Sequence, residues 1–381
     1  MRFLTHHSLA KTGESFSPDD LLEEFLPVRT WENSIYTSDM DDTMFRGDSG
    51  QFSFIDCLRR PEFYDVGEAD AFIDMLLPDT DIGTGYSARA LIERGAGGFI
   101  PGMSDDDCRR ALRMQETLGQ HYRDIQLLLK KNQAQEAQEA IRLFLRDVLV
   151  FDALLISLNR QHPDQQTSSR MATAFSRVRL LKGQPMQHLA NVAAQLLAPR
   201  GNADRHLILD VNTKRIIDCS VQVNGSILAL LRNIAAQKAV GYVITGSPQP
   251  IAHALISQSS YAPIVPLERI EAVKLQQCEA GRLTGQIEGQ HVFGLAKRRI
   301  IERLERDTGQ RVRLALGDYP SSDRHMGAHA LENNGVFVIT QEEKHLERTR
   351  TEFDAALKEI MGTEAVEKAA DRIWYVPAAD A

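Results

Sequence analysis

Apolar residues recur at helical spacing from about Phe52 to Arg200, whereas beyond Arg205 they gather in short β-prone runs separated by helical stretches. In the first of these regions Leu112, Met114 and Leu118 sit among charges. A second periodic run, from Ile125 through Ala140 to Leu158, carries Leu127, Leu128, Ile141, Leu145, Val148 and Leu149. Its Gln-rich middle, Asn132 to Gln138, consists of good helix formers and reads as a helical surface. Ahead of this region, Ser17-Pro18-Asp19-Asp20 resembles a helix start before Leu21, Leu22, Phe25 and Leu26, so residues 1–30 read as a helical lead-in. Loops are expected at Gly95 to Gly102, Gln161 to Ser169 and Pro199 to Ala203.

The later region alternates strand and helix. His206 to Leu209 is a strand candidate, and Ser226 can cap a helix bearing Ile227, Leu228, Leu231 and Ile234. Tyr242 to Ile244 reads as a buried strand, with Pro248 or Pro250 opening the helix from Ile251 to Ser257. Ile264 and Val265 suggest another strand, and two runs around Ala280-Gly281 a hairpin. A helix starts at Gly294 and stops near Gly309, and Val312 to Leu316 is a strand. Ser321 or Ser322 can cap the helix that follows, and Val336 to Ile339 is a further strand. The tail from Gln341 holds a helix-like piece through Phe353, Leu357 and Ile360, then Trp374-Tyr375-Val376, whose role the pattern leaves open. Such alternation is that of an α/β fold.

Composition narrows the partners. The 381 residues carry a net charge of −8, which argues against general affinity for nucleic acid or an anionic membrane surface. Val148 to Leu158, the most apolar run, is too short for a bilayer and is interrupted by Asp152, so a buried helix is expected. Cys57, Cys108, Cys219 and Cys278 are scattered without a C-x-x-C pair, as expected of reduced thiols in a cytoplasmic protein. Met1 to Pro18 lacks the apolar core of a secretory signal.

Chemistry concentrates at Ser38-Asp39-Met40-Asp41-Asp42-Thr43, where two carboxylates two residues apart follow the β-prone Ile35-Tyr36-Thr37. Acidic clusters beside Ser and Thr are also common in solvated turns. If the chain turns after Asp39, both acids reach one cleft at the carboxyl end of a sheet. Asp39 can then attack phosphorus and Asp41 manage the proton of the leaving oxygen, while a hard cation offsets the phosphate charge. Thr245-Gly246-Ser247, at a strand-to-helix turn, can hold a phosphate through a hydroxyl and backbone N–H groups. Gly317-Asp318 and Asp323 place two more acids at another strand end. Lys297, alone in a first helical turn, would ordinarily be a surface lysine. The Gly-rich piece from Gly95 lacks a following Gly-Lys-Ser/Thr and reads as a plain loop. His325 and His329, one turn apart, have zinc spacing without a third ligand and read as surface or supporting histidines.

The order Asp39-Met-Asp-Asp-Thr43, Val243-Ile-Thr245-Gly-Ser247, Gly294-Leu-Ala-Lys297, and Gly317-Asp318 with Asp323 resembles the haloacid dehalogenase superfamily, most closely its phosphoserine-phosphatase-like branch. Glu279 to Gly285 looks like the hairpin that precedes the lysine in that branch. The resemblance implies a Rossmann-like three-layer α/β core with a mainly parallel sheet, formed by residues 31–50 and 201–340. A large helical cap at 51–200 and a helical extension at 341–381 would flank it. It implies Asp39 as nucleophile, Asp41 as acid and base, Thr245 and Lys297 on the phosphate, and Mg²⁺ held by Asp39, Asp41 and Asp318, with Asp323 close by. Ser247 competes with Thr245 for the hydroxyl role. Asp48 lies where phosphoserine phosphatases carry a Glu that meets the substrate amine, which implies an amine-bearing phosphoester. The expected activity is a Mg²⁺-dependent phosphomonoesterase acting on a small phosphorylated metabolite. Its rivals are a phosphotransferase on the same core and a protein-interaction module whose cap docks a partner.

Overall fold

The computed structural model describes residues 2–3, 31–64, 105–157, 178, 181–197, 206–210 and 215–378. The helical lead-in beyond Phe3 and the three expected loops lie outside these residues. In chain order the described strands are β1 (Arg2–Phe3), β2 (Ser34–Ser38), β3 (Phe45–Arg46), β4 (His206–Asp210), β5 (Arg215–Asp218) and β6 (Gln222–Val223). They continue with β7 (Val240–Pro248), β8 (Ile270–Gln277), β9 (Leu283–Glu288), β10 (Arg311–Gly317), β11 (Val336–Gln341) and β12 (Ile373–Pro377). The helices are α1 (Ser49–Leu58), α2 (Pro61–Tyr64), α3 (Asp105–Lys130), α4 (Ala134–Ser157), α5 (Met186–Leu196) and α6 (Gly225–Ala236). The remaining ones are α7 (Gln249–Ser257), α8 (Leu295–Thr308), α9 (Pro320–Glu332), α10 (Leu346–Met361) and α11 (Thr363–Lys368).

Eight strands form one sheet in the order β1-β12-β11-β10-β2-β7-β8-β9, parallel throughout except that β9 pairs antiparallel with β8. With its helices this is a three-layer α/β fold: the alternation predicts the α/β class, and the resemblance the three layers. Strand β2 is central. The chain reaches β7 on one side of it and β10 on the other, so the strand order reverses at β2, where α/β sheets open a crevice at their carboxyl ends.

A central strand reading Ser-Ile-Tyr-Thr-Ser is unusually polar, yet all five residues are buried. Tyr36 fits because its neighbour on β7 is Gly241, where a Cβ would come within 2.1 Å of the Tyr36 ring. Gly241→Ala is therefore expected to destabilise the fold by about 1–3 kcal/mol through overpacking, read from urea unfolding midpoints at unchanged m-value.

Several expected elements fall elsewhere. Ile264 and Val265 lie in a turn between Tyr261 and Pro266, with Val265 buried; the strand begins at Ile270. Asn224 replaces Ser226 as the cap of α6, and Tyr319 precedes α9 in place of Ser321 or Ser322, its carbonyl accepting from the Ser322 and Asp323 N–H groups. The continuous helix expected through Asn132 is two helices, because Asn132 adopts a left-handed φ of 56° and folds α4 back on α3. His206–Asp210 pairs with Arg215–Asp218 in a two-stranded sheet that, among the described residues, is separate from the main sheet. Ile373–Pro377 is a sheet strand between β11 and β1, so residues 341–381 are not helical throughout. No described helix is long and apolar enough to cross a membrane.

Candidate active site

Strand β2 ends at Ser38 and delivers Asp39 to the crevice, where the Asp39 N–H donates to the Leu316 carbonyl of β10. The next residues make a tight loop. Asp42 adopts φ 52°, its carboxylate accepts from the Gly47 N–H at 2.9 Å, and the Phe45 N–H returns to the Met40 carbonyl at 3.0 Å. Both Asp39 and Asp41 line the same cavity of about 490 Å³ as a result. An acid in a turn tolerates the left-handed conformation better than most residues, which explains Asp42 there.

Lys297, in the first turn of α8, is wholly buried, contrary to the ordinary expectation for a lone lysine. Its Nζ lies 2.9 Å from Asp39 Oδ2 and 2.7 Å from Asp323 Oδ1. Burial works against the ammonium, but Asp323 and Asp39 outweigh it and hold Lys297 above the ordinary lysine range. Asp323 Oδ2 accepts from the Asp318 and Tyr319 N–H groups, both at 3.1 Å. Both Asp323 oxygens are thus engaged inside the protein, and its place is to fix Lys297 and the β10–α9 turn. Gly317 allows this: a Cβ there would sit 2.6 Å from the Asp323 Cβ. The close approach, more than a tight turn, is what this glycine supplies. Gly317→Ala is expected to loosen the Lys297–Asp323 pair and cut kcat more than thermal stability, measured side by side by steady-state kinetics and melting.

Asp39, Asp318 and Asp323 offer carboxylate oxygens within 4.8 Å of one another. Asp318 Oδ1 accepts from the Thr43 hydroxyl at 3.1 Å, and Asp39 Oδ1 from the Met40 N–H at 2.8 Å. Three buried carboxylates against one ammonium leave negative charge uncompensated. Desolvation raises Asp39 to about 7, Lys297 opposing and Asp323 adding to the shift. Asp318 is raised as well, by burial first and then by Asp323 and Asp39. An all-oxygen donor set with surplus negative charge fits a small hard divalent cation.

Asp41 stands apart from that trio. Its carboxylate accepts from the Ser49 N–H at 2.9 Å and from the hydroxyls of Ser49 and Ser247. Burial, then the Asp48 charge, pushes Asp41 up to about 8, against the hydrogen bonds from Ser247 and Ser49. The shift favours the acid form of Asp41, the form a proton donor needs. Ser49 was not singled out by sequence; its position at the start of α1, one residue past the cap Asp48, was the available signal. The Ser247 hydroxyl is engaged by Asp41, whereas Thr245 Oγ1 accepts from the Ser247 N–H at 3.1 Å and keeps its proton to donate. Thr245, Ser247 and Asp48 all line the cavity; Lys297 does not. Asp48 caps α1, accepting from the Gln51 N–H at 2.7 Å. His329 is occupied by Glu305, 3.1 Å from its Nε2, and forms no metal cluster with His325 among the described residues.

No family model matches the sequence, and no curated protein does. Among solved structures, a conserved functionally unknown protein from Anaerococcus prevotii superposes with a TM-score of 0.52 at 11% identity, over 86% of each chain. The chain shares that protein's fold. A probable phosphoserine phosphatase from Vibrio cholerae also matches, at TM-score 0.34 and 16% identity, over 58% of this chain and 61% of its own. A HAD family hydrolase from Salmonella enterica matches at TM-score 0.37 and 14% identity, over 81% of this chain and 63% of its own.

Proposed function

We propose that this chain is a phosphomonoesterase of the haloacid dehalogenase superfamily, phosphoserine-phosphatase-like in its motif order, that works through an aspartyl-phosphate on Asp39. The observation that carries the reading is the junction at the end of β2: Asp39 paired to buried Lys297, Asp318 beside them, and Asp41 on a separate hydroxyl-lined arm.

Asp39 and Asp318, with the Asp41 main-chain carbonyl, would hold Mg²⁺, which when bound neutralises phosphate charge and positions phosphorus. An Asp39 carboxylate oxygen attacks phosphorus, the bond to the leaving oxygen breaks, and Asp41 gives that oxygen its proton. Asp41, now ionised, takes a proton from water as the water oxygen attacks phosphorus. The Asp39–phosphorus bond breaks, inorganic phosphate leaves, and both acids are restored. Thr245 donates to a phosphate oxygen, and Lys297 holds Asp39 in place while balancing charge on the transferring group. Asp48, at the cavity wall, would meet an amine on the leaving group.

Phosphate release from a panel of monoesters, with Mg²⁺ and with chelator, tests this. Metal-dependent release without added acceptor supports the phosphatase over a phosphotransferase, and no release from any ester contradicts it.

Proton linkage gives a second check. Asp39 and Asp41 bind protons more tightly folded than unfolded, so their contribution to stability is full below about pH 4 and is lost as pH rises through about 7 and 8. In chelator, unfolding free energy should fall across that window, and Asp41→Asn should flatten the fall. Mg²⁺ added near pH 7 should release protons, read with an indicator dye in weak buffer. Metal binding without proton release would contradict the raised carboxyls.

A further inference from the structure

Part of the cavity lining is apolar and comes from separate parts of the chain. Phe54 reaches it from α1, Ile251 from α7, Val273 from β8, Leu181 from the turn before α5, and Phe293 from the loop before α8. The first four are almost wholly buried, so packing holds their side chains in place. Leu181 belongs to a segment stitched to the β8–β9 hairpin. The Gly183 N–H donates to the Leu283 carbonyl at 2.8 Å, the Leu283 N–H to the Gln184 carbonyl at 2.9 Å, and Arg282 Nη1 to the Gly183 carbonyl at 2.8 Å. That part of the wall is pinned to the sheet.

Charge selects in the same direction. Asp39, Asp41, Asp42, Asp48 and Asp318 line the cavity, and no lysine or arginine does among the described residues. The buried ammonium of Lys297 is committed to Asp39 and Asp323. Among the described residues a second anionic group on a substrate would meet acids, hydrocarbon and a few neutral polar side chains, and no lysine or arginine. Hydroxyls of a leaving group seated against Phe54, Leu181, Ile251 and Val273 would lose water hydrogen bonds on that part of the lining, whereas Gln51, His291 and Gln341 offer polar atoms elsewhere in the cavity.

We infer that the leaving group is an uncharged or cationic alcohol with an apolar body, aromatic or branched, seated against Phe54, Leu181, Ile251, Val273 and Phe293. Esters carrying a second anion are disfavoured. This rests on the phosphomonoesterase reading and names the substrate class of the same site. About 490 Å³ holds a phosphate with a body of roughly one aromatic ring and a short chain.

The test compares esters of primary alcohols: ethyl, butyl, 2-phenylethyl and 3-carboxypropyl phosphate, which keeps leaving-group chemistry similar. Each buried methylene contributes about 0.8 kcal/mol, roughly fourfold in kcat/KM. The 2-phenylethyl ester should exceed ethyl phosphate by about 30-fold or more, and the carboxypropyl ester should fall at least tenfold below butyl. Phe54→Ala and Phe293→Ala should each shrink the 2-phenylethyl to ethyl ratio, a ratio that does not depend on the fraction of folded enzyme. In parallel, binding of 2-phenylethylphosphonate and ethylphosphonate with Mg²⁺ is measured by calorimetry. Tighter binding of the aromatic phosphonate without turnover of any ester would keep the pocket assignment and overturn the phosphatase. Turnover with equal ratios, or a preference for the carboxylated ester, would overturn the pocket assignment and keep the phosphatase.

Discussion

Asp39→Asn is expected to reduce phosphate release by at least about 10³-fold while leaving the unfolding free energy within about 1 kcal/mol of the parent protein. The amide keeps the shape of the carboxylate and can still accept from the Met40 N–H, so the strand end and loop keep their geometry. What it loses is the nucleophilic oxygen and the charge paired to Lys297 at 2.9 Å. Because Asp323 remains 2.7 Å from the ammonium, the buried lysine still has an anionic partner. Activity and stability should therefore separate in this variant. A retained rate would mean that the nucleophile lies elsewhere; a collapsed fold would mean that Asp39 is a structural counter-ion first.

Lys297→Met should show the opposite coupling, losing activity and stability together. The lysine is fully buried between two carboxylates, and removing one member of such a cluster strands the others. A cost of about 3–5 kcal/mol is expected, seen as a lower urea midpoint at unchanged m-value, with little phosphatase activity left. Adding Asp323→Asn to Lys297→Met should recover part of that stability, because Asp323 is then no longer an unpaired buried charge, and should recover no activity. Full stability in the single variant would contradict the buried charge cluster.

Much of this arrangement was readable from sequence, for a physical reason. Asp39, Thr245 and Asp318 each lie at or near the carboxyl end of a run with strand character, so strand and chemistry announce one another. The α8 boundaries were legible because Gly294 and Gly309 bracket an apolar stripe of Ile300, Ile301 and Leu304. The burial of Lys297 was not, since its partners lie just after β2 and in α9, more than twenty residues away in either direction. Nor was the burial of Tyr36, which depends on the missing side chain of Gly241 in another strand. The break at Asn132 hid inside residues of high helix propensity, where one left-handed residue outweighs the summed preference of its neighbours. The apolar cavity wall had no motif because its residues meet only in three dimensions.

The most direct test of covalent catalysis is to quench the Mg²⁺-loaded enzyme in acid during turnover of its best ester, reduce it with borohydride and map the peptides. An acyl phosphate is reduced to the alcohol under these conditions and a free carboxylate is not. Homoserine at position 39, absent without substrate and absent from Asp39→Asn, is the expected result. Turnover at full rate with position 39 unmodified, or homoserine at another acid, would contradict the account.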